Sequence, residues 1–111
     1  MTATVNFSVA NTTDWRLTLN LTRDGGDWDL SGYSARMQMR SPAASDTPAV
    51  ELSTEAETIV LDGSTLRIAV PRALALGVPA GSYAYDIVLS DDLETVRAIA
   101  GTATVIQGVT R

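Results

Sequence analysis

Cysteine, histidine and lysine are all missing from these 111 residues. Without cysteine there is no disulfide framework, no thiolate metal site and no thiol nucleophile. Without histidine the commonest general base and the commonest zinc ligand are gone as well. The eight cations are all arginines, at 16, 23, 36, 40, 67, 72, 97 and 111, a bias that GC-rich coding would produce alongside the plentiful Ala, Gly, Thr and Val. They are scattered along a chain of net charge -5, a pattern that argues against binding nucleic acid. No apolar run approaches membrane-spanning length, and "MTATVNFSVANTTDW" lacks a basic segment followed by an apolar one. The expectation is a protein made in the cytoplasm of its producer, with no membrane partner.

What is present suits one globular domain spanning residues 1–111: 45 % hydrophobic residues to build a core and only 19 % charged. Alternation with period two dominates, the mark of strands that bury one face and wet the other. Ala3, Val5, Phe7 and Val9 share a face, and Trp15, Leu17, Leu19 and Leu21 form the clearest apolar row. Tyr33, Ala35, Met37 and Met39 follow, then Val50 with Leu52, Ile59 with Leu61, and Leu66 with Ile68 and Val70. "DGS" between the last two predicts a hairpin. Tyr83, Tyr85, Ile87 and Leu89 make the next row, and "TVRAIAGTATVIQ" the last strand, with Gly101 as the expected bulge. Pro71, Leu74, Leu76 and the Gly77/Pro79 stop predict one short helix near 71–76, and "SPAASDTPA" predicts a surface loop. Seven to eight mostly antiparallel strands at this spacing predict an all-β sandwich or small barrel.

The stretch "DGGDWDLSG" holds Asp-x-Asp-x-Ser-Gly from Asp27, the opening half of an EF-hand calcium loop. The twelfth position, where that loop needs a bidentate glutamate, is Gln38, and both flanks read as strands rather than helices. The stretch is therefore read as a turn: Gly25 and Gly26 reverse the chain, Asp24 and Asp27 accept local backbone bonds, and Gly32 bends it again. No metal and no cofactor is expected. Asp91, Asp92 and Glu94 are acidic enough to suggest glycoside chemistry, but they fall in a hairpin turn where acids are simply solvated. Ser31 and Ser82 lie near glycines but in no nucleophile elbow. No catalytic residue is assigned. Asn6, Asn11 and Asn20 each begin an Asn-x-Ser/Thr triplet, read as chance in a Thr-rich chain.

Trp15 is in register with leucines and belongs to the core. Trp28, flanked by Asp27 and Asp29 in a turn, is the expected exposed ring and the leading contact residue, with Tyr33 nearby. The outward residues of the first strand, Thr4, Asn6 and Ser8, are the other candidate contacts, because a β-branched strand near a terminus can pair with a neighbour.

"DLSGYSARMQMR" (29–40), the stretch from Val78 to Asp86, and Gly101 to Val105 together resemble small tail-module proteins of tailed bacteriophages. Such proteins carry an Asp-Leu-Ser/Thr-Gly-Tyr turn opening a strand that ends in arginine, a Leu-Pro/Ala-Gly-x-Tyr-x-Tyr-Asp stretch, and a Gly-Thr-x-x-Val final strand. The likeness runs from Trp15 to the C-terminus and extends to the N-terminal domain of upper baseplate proteins, without the receptor-binding domain that follows it there. The resemblance implies an immunoglobulin-like antiparallel β-sandwich and a non-enzymatic virion component, in tail, baseplate or fibre attachment. It further implies a homo-oligomer bound to other virion proteins and assembled in the host bacterial cytoplasm. A capsid decoration protein, or a carbohydrate-binding module using Trp28, Tyr33 and nearby acids, are the alternatives.

Overall fold

The computed structural model describes residues 3–23, 25–41 and 50–108. The loop expected over 41–49 lies, apart from Ser41, outside them, as does Asp24. Every apolar row of the sequence becomes a strand. In chain order these are β1 (Ala3–Thr4), β2 (Phe7–Ala10), β3 (Trp15–Asn20), β4 (Thr22–Arg23), β5 (Gly26–Asp27) and β6 (Ser34–Arg40). They continue with β7 (Val50–Ser53), β8 (Ile59–Asp62), β9 (Thr65–Val70), the helix α1 (Arg72–Ala75), β10 (Gly81–Ser90) and β11 (Thr95–Ile106). The eleven segments exceed the expected seven to eight for two local reasons. The first strand breaks at Val5–Asn6 into β1 and β2, and the "DGGDWDLSG" turn forms a two-residue ladder of its own, β4 with β5.

The protein is all-β. One sheet runs β1-β11-β10-β6-β7, with β2 also on β11, and a second runs β3-β9-β8. The chain crosses between them after β7 at a corner where Thr58 N donates to Ser53 O and Ala69 N donates to Thr58 O. At this corner Glu57 takes φ +63°, a left-handed conformation that costs any residue with a Cβ. The expected hairpin is β8 with β9, turning at Gly63–Ser64, and Asp62 pairs with Thr65 across it.

Antiparallel pairing prevails but is not complete: β1 and β2 both run parallel to β11. A first and a last strand have no hairpin between them, so nothing local dictates their relative direction. Gly101 is not the bulge. The register shift between β10 and β11 falls at Ile87/Val88, and Gly101 pairs regularly with Tyr85. The glycine is needed because the break in the first strand presses on it: a Cβ at 101 would overlap the carbonyl of Val5. The Tyr85 hydroxyl donates to that carbonyl, and Thr102 N donates to Asn6 Oδ1 at 2.9 Å, so the kink is bonded on both sides. Burial pushes the Tyr85 phenol up to about 12.

The two inner faces share one core. Trp15, Ile59, Leu66 and Ile68 enter from the smaller sheet, and Met37, Met39, Ile87, Leu89 and Ile99 from the larger. Trp15 is buried as expected, its indole N–H donating to Ala10 O at 2.9 Å. The helix is shorter than 71–76. Pro71 stands outside it as the N-cap, with no side chain to offer, and Asp14 Oδ1 instead accepts the Arg72 N–H at 2.7 Å. Asn11, one of the three triplet asparagines, is buried; its amide donates to Val78 O at 3.0 Å and accepts from Gly108 N, so it is no glycan acceptor.

Candidate partner-contact site

Local chemistry shapes the tip of "DGGDWDLSG". Gly25 takes the left-handed φ of +81° and Gly32 that of +82° at the second bend, while Gly26 is ordinary strand, opposite Arg23. Asp29 ties the second bend: its Oδ1 accepts from Ser31 N at 3.0 Å and from Ser31 Oγ at 2.7 Å. These bonds hold the Asp29 carboxyl below its ordinary value. Asp27 is exposed in β5, opposite Thr22. Among the described residues no group of His, Cys, Asp or Glu is arranged to hold a metal ion.

Trp28 is not the exposed ring expected from its neighbours. It is half-buried and packed against the core, with Tyr33 edge-on at 5.8 Å between ring centroids and the Arg23 guanidinium 4.7 Å above its ring. The turn is anchored beside the smaller sheet: Trp28 N donates to Leu21 O and Leu30 N to Gly63 O, which fixes the backbone that carries the indole.

The same arginine and tyrosine meet Glu94. Arg23 donates from Nη1 to Oε1 at 2.6 Å and from Nη2 to Oε2 at 3.2 Å, and the Tyr33 hydroxyl donates to Oε1 at 2.6 Å. The Arg23 hydrogen bonds, then that of Tyr33, pull the Glu94 carboxyl down to about 2, and the ionised Glu94 in turn raises Tyr33 and Arg23. A carboxylate held this firmly ionised is unsuited to donate a proton at neutral pH. Asp91 is spent too: its Oδ1 accepts from Leu93 N and Glu94 N, building the turn between β10 and β11. The acids of this turn are thus structural, not merely solvated, and Asp92 is the one left exposed without such a role.

Arg23, Trp28, Tyr33 and Glu94 therefore form a latch joining the β4–β5 hairpin to the β10–β11 turn. Trp28 and Tyr33 were legible as neighbours in sequence. Arg23 and Glu94 were not, since 71 positions separate them and no periodicity links them. Leu93 projects from the tip of this turn, 93 % exposed.

The second group of candidates lies along the β1/β2 edge, where the first strand pairs with β11. Thr4, Asn6 and Ser8 are all exposed, as the alternation required. They differ in role: the Asn6 side chain is committed to Thr102 N, while Ser8 borders a shallow depression with Thr102 and Thr104. The structure does not bring the two groups together. No protein-family model matches the chain, and neither does any curated protein.

Proposed function

We propose that this chain is a non-enzymatic structural protein of tailed-bacteriophage particles, built as an immunoglobulin-like sandwich and used in several copies as a tail, baseplate or fibre-attachment adaptor. The observation that carries the reading is what the resembling motifs do. Asp29–Tyr33 builds the Ser31 turn and the latch, the stretch from Val78 to Asp86 supplies Tyr83 and Tyr85, and Gly101 receives the kink at Val5. Each motif is architectural, which supports a shared scaffold and not shared catalysis.

The immunoglobulin-like assignment draws support from the strand order. A larger sheet of β2-β11-β10-β6-β7 facing β3-β9-β8 follows the two-sheet division of that fold. The Tyr83 hydroxyl, near the start of β10 just after the α1 connection, donates back to Pro79 O at 2.6 Å, in the manner of a tyrosine corner. The sugar-binding alternative loses ground because the Trp28 ring is already covered by Arg23 and flanked by Tyr33.

Quantitative mass spectrometry of purified particles tests the proposal. The chain is expected in every particle at a fixed ratio to tail proteins, in the tens; hundreds of copies would point to capsid decoration, and its absence from particles would overturn the virion reading.

A further inference from the structure

The smaller sheet ends on a free strand. Among the described residues nothing pairs with β3 on the side away from β9. Leu21 N donates to Ser64 O across the β3–β9 ladder, and by antiparallel alternation the odd residues of β3 face β9. Arg16, Thr18 and Asn20 therefore direct their backbone N–H and C=O groups outward, an unbroken template for another strand. The other edges are poorer. The β1/β2 edge is broken at Val5–Asn6, and β7 and β8 have four residues each against six in β3.

We propose that β3 pairs with β3 of a second copy of this chain, antiparallel about Thr18, so that two three-stranded sheets join into one of six strands. The sequence of β3 suits itself in this register. Thr18 faces Thr18 of the second copy, Arg16 faces its Asn20, and Leu17 faces its Leu19. The threonine pair is a favourable cross-strand match, and no like charges stand opposite. Sliding the register by two residues on each chain toward the N-terminus would set Arg16 against Arg16. Leu17 and Leu19, only half-buried although they point to the core side, gain cover from each other's copies. The twofold symmetry makes the contact closed, giving a dimer and not a filament.

This inference deepens the multi-copy part of the proposed function but is independent of location in a particle. A purified chain that dimerises through β3 upholds it even if particles lack the protein. Sedimentation velocity over micromolar to millimolar concentration should show a reversible dimer. Thr18→Pro removes an outward N–H at both symmetric positions, where an edge strand tolerates proline, and should weaken the dimer by about tenfold or more with native circular dichroism. Asn20→Asp, placed opposite Arg16 of the second copy, should tighten it. Should Thr18→Pro fail to fold, Asn20→Arg, which sets arginine against arginine, should instead give a folded monomer. A wild-type chain monomeric throughout, or a dimer indifferent to these substitutions in folded variants, overturns the proposal.

Discussion

Arg23 and Glu94 close a two-pronged ion pair across 71 positions of chain, with Nη1 2.6 Å from Oε1 and Nη2 3.2 Å from Oε2. The pair ties the tip of the β4–β5 hairpin to the turn of the β10–β11 hairpin. Because the folded state lowers the Glu94 carboxyl from 4.5 to about 2, its contribution to stability is present above about 4.5 and is lost as pH falls through about 2. Thermal melts of wild type and Glu94→Gln should therefore differ most at neutral pH and converge toward pH 2. Added salt should narrow the neutral-pH gap, since both side chains are partly in water. An unchanged gap across that range would show that the latch does not titrate with folding.

Gly101→Ala tests the kink in the first strand. The added methyl overlaps the Val5 carbonyl, so β1 must move or the strand must strain, at a cost of about 1–3 kcal/mol. Hydrogen exchange at the Val5 amide, which donates to Ala100 O, should speed up more than exchange in β9. Equal effects at both would mean that the kink is not the point of failure.

Trp28→Ala removes a half-buried ring together with its contacts to Tyr33 and Arg23. A loss of about 2–4 kcal/mol in denaturant unfolding is expected, above what an exposed aromatic would give. A change below about 0.5 kcal/mol would return Trp28 to the status of a free contact residue.

Glu57→Gly should stabilise the protein by up to about 1 kcal/mol. Glycine relieves the left-handed φ of +63° at the β7–β8 corner, partly offset by its greater freedom in the unfolded chain. Urea midpoints measured side by side decide it, and a lower midpoint for the variant would contradict the strain.

Calcium at millimolar concentration should leave the melting temperature unchanged. The Asp29 carboxylate oxygen is occupied by Ser31 N–H and O–H, and Asp27 lies in a strand ladder instead of converging with it on a common point. A rise with calcium but not magnesium would revive the metal reading of this turn.

Strand existence was legible because a half-buried strand must alternate apolar and polar residues, and rows such as Trp15–Leu21 and Tyr83–Leu89 do so without interruption. The burial of Trp15, the outward-facing Thr4, Asn6 and Ser8, and the strands on either side of "DGGDWDLSG" rested on that periodicity, and the β8–β9 hairpin on the turn signal "DGS". Residue order alone also located the short helix, though not its bounds, because Pro71 signals a helix start without saying on which side of itself the helix begins.

Tertiary structure decided everything that depends on groups distant in the chain. The parallel seating of β1 and β2 on β11, the reason for a glycine at 101 and the capping of α1 by Asp14 arise between segments with no sequence-local relation. Trp28 is the sharpest instance. Its neighbours are polar and its turn is exposed, so sequence placed it in water. Glu94, from the far end of the chain, instead holds Arg23 over the ring and Tyr33 edge-on to it, an energy that exists only once the fold has brought them together.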